Sequence, residues 1–546
     1  MLRQGQEREV AAPVAESLGI ALKDQGLRRE IGRGARLKCN ISDAYLNRRF
    51  IRVINRARGS GGQGYGERGG ARQDGYDTTP KGGAPFGFTP AASARAVARA
   101  VKISNRAILL YALPSLPYSL AYMPVVNFIP SFYSTELGVS LAVVGFAIFG
   151  TRLFDIATDP MIGVLSDRSR SRFGRRKIFI AAGIPLLMLA VWMLFVPGEA
   201  ASGRYLFVWF FVLYFAYTLI DIPYRSWGAE LSKDYDDRSR IKAWRGGFEM
   251  AGTLTALTVA MILGWLGYTG TATTMLALAL LFLIFQPLSF GLTLWRLPEP
   301  PPEHSEAEVF TWKERLQVFA GNRAMIRLSV GFTALLMALV IAASLNLIFM
   351  TQVIGRPEAF ATALFIQNII GIAAIPIWLR VAERFGKHRA FAATVPIIIM
   401  ILASFFLLEE GDVVPAVTLI ALQGVGLGAW FFLAPAMLAD VVDVDESQTG
   451  EERTGLYFSV FGMINKAGVA LGVLVGTSLP ALVGFQPSDL VHTEEALLGF
   501  RLVYSFAGAP LALLAFFMFW NYPVTREVQR GLREQIDARR ITPAAP

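Results

Sequence analysis

The chain reads as an all-α membrane protein, twelve transmembrane helices arranged in two six-helix halves. Three observations predict this. Of its 546 residues 53% are hydrophobic and only 17% charged, far too apolar for a soluble protein of this size. From Arg106 onward come twelve apolar stretches, each long enough to cross a bilayer as a helix, which takes about 20 residues. The polar break from Pro298 to Arg323, with PEPPPEHSEAE, divides them six and six.

Residues 1–104 are expected to form a disordered basic extension. The first hundred positions hold 18 Lys and Arg against 9 acids, nearly all of the net charge of +10, and Arg56 to Gly87 is dominated by Gly, Arg and Gln. No apolar core or small-residue cleavage site marks a signal peptide. The segment is a basic arm touching anionic lipid or nucleic acid, a solvated tail, or an over-extended gene start with translation beginning near Val101.

The first half, 105–297, holds stretches 106–134, 141–165, 177–197, 204–229, 246–267 and 272–297. A central loop, 298–325, leads to the second half, 326–522, with stretches 326–352, 359–381, 389–409, 413–438, 456–484 and 497–521; residues 523–546 form a tail. Pro114, Pro117, Pro124 and Pro130 in the first stretch free backbone carbonyls and bend the helix, which is tolerated where it lines a cavity. Such a helix either flexes during transport or is statically kinked. The connections SDRSRSRFGRRK and RVAERFGKHR, after the second and eighth stretches, are rich in Lys and Arg. That puts them in the cytoplasm, with the fourth-to-fifth loop, the central loop and both termini. The outward loops, Pro197 to Gly203 and Glu409 to Asp412 among them, hold few cations. The expected location is the plasma membrane, multi-pass, in a bacterial inner membrane.

The single cysteine, Cys39, excludes an internal disulfide and a cysteine metal cluster, and His304, His388 and His492 are all expected in loops. No His–Asp or Cys–His pairing lies inside the stretches and there is no glycine-rich nucleotide loop. The chain is therefore not expected to be an enzyme, and no cofactor is expected beyond a coupling ion.

Asp155 and Asp159, in TRLFDIATDPMIGVLSDR, sit near mid-membrane on one helix face, a turn apart. A carboxylate at the bilayer centre costs about 2.5–3.5 kcal/mol on insertion scales, and two within a turn repel. The pair requires a cation, a proton or a basic partner. It reads as a coupling-ion site, with Asp155 and Asp159 as metal ligands if the ion is sodium. The alternative is a structural salt bridge, for which Arg152 or Lys466 would serve. In the fourth stretch Tyr217, Asp221 and Arg225 share one face at one-turn intervals.

An internal repeat supports the two halves. RFGRRK (172–177) precedes the third stretch and RFGKHR (384–389) the ninth, the same place in each half. Two parallel six-helix halves are the pattern of a major facilitator transporter, with the solute site between them near the midplane. GVLSDR (163–168) followed by GRR resembles that superfamily's loop signature between helices two and three, with SRSRF inserted. Gly163, Asp167, Arg168 and Arg175 are read as gating residues. Gly163 would permit close helix approach, and Asp167 would pair with basic residues across the bundle. Asp440, Asp443 and Arg453 after the tenth stretch, with Asp234, Asp237 and Arg240 after the fourth, would pair between halves and close the inward exit, or form a solvated charged loop.

FDIATDPMIG, YTLIDIPYRS, SKDYDDRSRIKAWR, MLADVVDVDE and FSVFGMINKAGVALG, spread over residues 105–525, resemble the glycoside–pentoside–hexuronide:cation symporters of the major facilitator superfamily, the family of melibiose permease. The resemblance implies a cation-coupled symporter of a sugar, glycoside or uronide, working by alternating access. The expected partners are solute, coupling cation and bilayer, with no nucleic acid, and a monomer is expected. Asp155 and Asp159 match the family's cation-binding acids, Thr218 a cation-site hydroxyl and Lys466 a lysine facing the acids. Thr158 stands where the melibiose branch has an asparagine. Such hard oxygens suit sodium, and equally a proton. Asp221 matches the substrate aspartate and Arg245 a substrate-contacting arginine. Trp430 matches a pocket tryptophan, with lipid or core packing as an equal alternative. Tyr217 would stack on a sugar ring, and Arg152 and Ser119 complete the expected substrate-binding set.

The departures bear on the solute. Ser119 replaces a second sugar-binding acid, Tyr118 a lysine and Arg225 a tryptophan that stacks on the sugar. One acid fewer and one arginine more favour a hexuronide, another anionic glycoside or a lysolipid-like amphiphile over a neutral galactoside. The competing class is a membrane sensor or scaffold that kept the fold and lost transport.

Overall fold

The structure is a computed structural model and describes residues 103–541 apart from 199–200, 233, 269, 301–311, 452 and 490. The expectations for the basic extension, and for Cys39 and His304, lie outside the described residues.

Twelve helices among the described residues are long and apolar enough to cross a membrane. In the first half they are α1 (Asn105–Asn127), α2 (Leu141–Arg168), α3 (Lys177–Phe195), α4 (Gly203–Glu230), α5 (Asp236–Trp265) and α6 (Thr271–Arg296). In the second they are α7 (Arg323–Gln352), α8 (Ala359–Phe385), α9 (Lys387–Leu407), α10 (Val413–Thr449), α11 (Thr454–Leu482) and α12 (Glu494–Trp520). No strand occurs among the described residues. A short helix, Trp312–Gly321, precedes α7, and another, Arg526–Ile541, follows α12 and packs on α10.

Helix ends depart from the apolar stretches where polar caps extend them. α5 begins ahead of residue 246 because Asp234 accepts from the amides of Asp236 and Asp237 at 3.0 and 3.1 Å. α10 runs past 438 to Thr449 and stops where Gly450 adopts φ 76°. His388 is not in a loop: α9 starts at Lys387, and the imidazole is buried in its first turn against Tyr522.

α1 is interrupted at Leu113 and Pro114. Pro114 offers no N–H to the Leu110 carbonyl, and the Thr293 hydroxyl of α6 donates to that carbonyl instead, at 2.6 Å. At the same break the Tyr111 hydroxyl donates to the Tyr224 carbonyl of α4 at 3.0 Å, and the Tyr224 hydroxyl donates back to the Tyr111 carbonyl. The helix ends at Asn127, short of 134, and Pro130 lies in a separate helical turn that runs into a π turn, Phe132–Glu136.

The halves are built alike. Gly174 and Gly386 occupy one position of the repeated hexapeptide, and both have positive φ, 113° and 90°, which favours glycine. The cation after each glycine reaches an acid on the fourth helix of its half: Arg175 meets Glu230 at 2.8 Å and Lys387 meets Asp440 at 2.7 Å.

The halves meet at the end where α2 starts. Gly145 of α2 lies so close to Thr477 of α11 that an added Cβ would overlap the hydroxyl. A Cβ on Gly264 of α5 would lie 3.4 Å from that of Glu358 beside α8, and the rings of Phe128 and Phe360 are 5.6 Å apart. One apolar core crosses both halves there, from Phe128 and Leu141 to Phe349 and Phe405. The far end of the second half has a separate core around Phe391, Leu433 and Phe519. Among the described residues the shared core holds the bundle shut at one end, and at the other the cores are divided.

Thr293→Val should lower unfolding stability by about 1–3 kcal/mol, because it orphans a half-buried carbonyl. Thr255→Val, whose hydroxyl bonds the Ala251 carbonyl of its own helix, should cost far less. Thermal melts in detergent read the difference. A Cys39→Ser chain carrying Gly264→Cys and Glu358→Cys should cross-link on mild oxidation, since disulfides span Cβ–Cβ distances of about 3.5–4.5 Å. Gel mobility reports the link, and transport should stop until it is reduced.

Candidate functional site

Three helices each place a polar group halfway along an apolar span. Asp155 is the fifteenth of 28 residues in α2, Thr218 the sixteenth of 28 in α4 and Lys466 the thirteenth of 29 in α11. They converge. The Thr218 hydroxyl lies 2.6 Å from Asp155 Oδ1 and 3.1 Å from Asp159 Oδ1. The Lys466 ammonium donates to Asp155 Oδ2 at 3.0 Å and also to Asp159 Oδ2. Asp155 is only 5% exposed, so these bonds stand in for water around a carboxylate that would otherwise be costly to bury. Lys466 belongs to the second half and both aspartates to the first, so the ion pairs join the halves.

Arg152 also attends the pair. Its guanidinium sits 4.1 Å over the Tyr214 ring, donates to the Tyr122 hydroxyl at 3.1 Å and lies 3.8 Å from Asp155. Both basic partners expected for the acids are thus in reach, Lys466 the closer. Thr158 turns the other way: its hydroxyl donates to the Asp155 backbone carbonyl at 3.2 Å and does not line the cavity.

One turn along α4, Asp221 is held by Arg225 at 2.6 Å and by Arg245 of α5 at 3.3 Å. Glu249, one turn beyond Arg245, lies 3.0 Å from its Nε. Tyr217 meets the ring of Tyr118 edge-on at 4.4 Å, and its hydroxyl donates to the Tyr118 carbonyl at 3.0 Å. Ser119 pairs with Thr253 at 2.9 Å. All of these but Thr253 line one cavity of about 420 Å³ between the halves. Four cations, Arg152, Arg225, Arg245 and Lys466, face four carboxylates, Asp155, Asp159, Asp221 and Glu249. The lining offers donors, acceptors and aromatic rings to a polar solute, and a carboxylate pair able to exchange an ammonium for another cation. Trp430 is not brought to it; its Nε1 donates to Thr394 of α9 at 3.2 Å, inside the second half.

The expected gating residues gather at the divided end. Arg176 meets Asp167 at 3.0 Å and Glu230 at 2.6 Å, and its amide donates to Glu299 at 2.9 Å. Asp167 therefore pairs within its half, not across the bundle. Gly163 is not a point of close approach, since a Cβ there would make ordinary contact with Ile222 at 3.7 Å. Arg168 is exposed. Asp237 is buried, accepts from the Ile103 amide at 3.0 Å and pairs with Arg240 at 2.6 Å. Asp443 meets Arg533 at 3.3 Å, and Arg453 meets Asp445 at 3.1 Å. Each of these named pairs joins residues of one half.

Glu249, Asn465, Tyr122 and Tyr214 on the cavity, and Glu230 and Glu299 at the divided end, go beyond the residues read from sequence. Glu249 carries a signal, an acid one turn from Arg245, but it lies at the margin of the fifth apolar stretch. Tyr122 and Tyr214 carry none, being aromatics on apolar helices.

Two like halves around a polar, ion-paired cavity at mid-span define a polytopic transporter. Residues 110–526 match the family described as MFS/sugar transport protein, and the chain belongs to that family. The glucuronide carrier protein homolog of Escherichia coli is 24% identical over 447 residues, spanning 80% of this chain and 97% of its own. Sodium-dependent lysophosphatidylcholine symporter 1 of Xenopus tropicalis is 23% identical over 478 residues, spanning 79% and 89%. The solved structure of the nucleoside transporter NupG superposes with a TM-score of 0.55 at 16% identity, covering 77% of this chain and 100% of that one. A bacterial homologue of the human lysosomal transporter Spinster, in an inward-facing and unoccupied conformation, gives 0.58 at 14%, covering 79% and 99%. These two likenesses carry the fold. The chain is a multi-pass membrane protein and a secondary-active symporter of the major facilitator type, working by alternating access, and not an enzyme.

Lys466→Met should destabilise the protein by about 1–3 kcal/mol, less than for a fully buried pair because the lysine side chain keeps 36% of its exposure. Adding Asp159→Asn should recover part of the loss, and the double-mutant cycle in detergent melts measures the coupling.

Proposed function

We propose that the chain couples cation entry to uptake of a sugar, glycoside or uronide, within the glycoside–pentoside–hexuronide:cation branch of its family. The observation that carries this is the Lys466 ammonium shared by Asp155 and Asp159 across the halves. An ammonium there takes the place of a coupling sodium ion or proton. When the cation arrives, Asp155, Asp159 and Thr218 hold it and Lys466 is released. Since Lys466 is a tie between halves, the charge state of the acids biases which end of the bundle opens. Asp221, Arg225 and Arg245 engage solute hydroxyls or a carboxylate, and Tyr217 offers an aromatic edge. The match to a glucuronide carrier homolog supports a sugar-acid solute.

The basic connections lie at the divided end, which we assign to the cytoplasm with both termini. The cavity then opens inward, and the Escherichia coli relatives support a bacterial inner membrane. A second reading, uptake of a lysolipid or other amphiphile, is favoured by the lysophosphatidylcholine symporter match and by Arg225, whose side chain is 59% exposed on the cavity.

The test is uptake by proteoliposomes under an imposed sodium or proton gradient, with sugars, uronides and lysolipids as solutes. Asp155→Ala and Asp159→Ala should each abolish cation-driven uptake while leaving membrane insertion intact. Asp221→Ala should weaken solute binding at least tenfold and cation binding much less. Gradient-driven accumulation by both alanine variants at wild-type rates would overturn the proposal.

A further inference from the structure

Beside the central cavity lies a second chamber of about 500 Å³, between the end of α4 at Gly228 and the start of α5, toward the divided end. The two chambers share Arg225, Arg245 and Glu249 as a common wall. Their charge differs. The central cavity balances four cations with four carboxylates. The second chamber adds Arg238 and Lys242, one turn apart on α5, and among the described residues on its lining Glu249 is the one carboxylate. Asp221, which pairs with both wall arginines, lines the central side alone. In the shared wall Arg245 Nε is buried and pairs with Glu249 at 3.0 Å.

We propose that this chamber is an oxyanion subsite. It takes the carboxylate or phosphate end of a solute whose hydroxyl-rich end lies in the central cavity, so the solute is an anionic conjugate that reaches past the Arg225–Arg245 wall. The proposal rests on the central cavity being the solute site. Concentrated positive charge in a cleft draws an anion, and guanidinium forks match the paired oxygens of carboxylate or phosphate. The anion also meets an electrostatic need. A coupling cation entering the balanced cavity leaves it one charge positive, and an anionic solute restores neutrality. The charged end lies nearer the exit, so it is the last part of the solute to leave the protein's cations.

Equilibrium binding to the purified full chain, with no ion gradient, tests this. The probes are methyl β-D-glucuronide, methyl β-D-glucoside and vesicles of phosphatidylglycerol or phosphatidylcholine. The wild type should bind the glucuronide at least tenfold more tightly than the glucoside. Arg238→Gln with Lys242→Gln should erase that preference and leave glucoside binding unchanged, whereas Arg238→Lys with Lys242→Arg should keep it. A preference that survives the double glutamine variant, or equal or absent binding of the two glycosides by the wild type, overturns the proposal. A response to phosphatidylglycerol alone, lost in the glutamine variant, assigns the oxyanion to a lipid headgroup and overturns the solute assignment. A chain that shows the preference yet fails to accumulate solute under a gradient would sink the coupling reading and leave this subsite standing.

Discussion

Lys466 lies thirteen residues into α11 and reaches across to two carboxylates at the middle of α2. That contact is what makes the centre of the bundle tolerable. Neither aspartate can stand alone at that depth, and neither can the lysine. Thr218 from α4 supplies a third partner, so three helices from two halves are fixed in register by one cluster. Two of the groups lining the cavity follow from it: Asp221 and Arg225 are the next turns of the helix that Thr218 anchors.

The placement of the other ion pairs fits this. Arg175, Arg176, Asp167, Glu230 and Glu299 tie α2, α3, α4 and the segment after α6 to one another inside the first half. Lys387 and Asp440 do the same work in the second. Such networks tie each half to itself at this end. At the shut end the halves approach closely at Gly145 and Gly264, and the core they share there, with Phe128 against Phe360, is apolar. Apolar contact is non-directional and can be broken and remade without leaving charges unpaired.

Much of this was legible in the chain. Twelve apolar runs specify the spans, because bilayer thickness imposes a length that soluble folds do not. Asp155, Asp159 and Lys466 stood out because a charge inside such a run needs a partner, and the structure brings these three together. Asp221, Arg225 and Arg245 converge for the same reason. What stayed hidden shares a cause. Tyr122 and Tyr214, which cradle Arg152, look like any core aromatic on an apolar helix. The early start of α5 is written in polar turns that hydropathy assigns to a loop. Trp430 shows the reverse: a resemblance pointed to the cavity, while its indole is satisfied by Thr394 within the second half. The acids at the divided end paired locally because contacts between halves depend on conformational state, which no single stretch of chain encodes.

The stitching around Pro114 bears on how the first helix behaves. Four prolines in the first apolar stretch leave two readings, a helix that flexes and one statically kinked. Yet the carbonyl left bare by Pro114 is claimed by Thr293, and Tyr111 and Tyr224 exchange hydroxyls and carbonyls across the same gap. Bending there would strip three hydrogen bonds at once, two of them buried. The elbow is therefore a fixed bracket, riveted to α4 and α6, and the rocking of the carrier swings α1 with its neighbours as one piece of the frame.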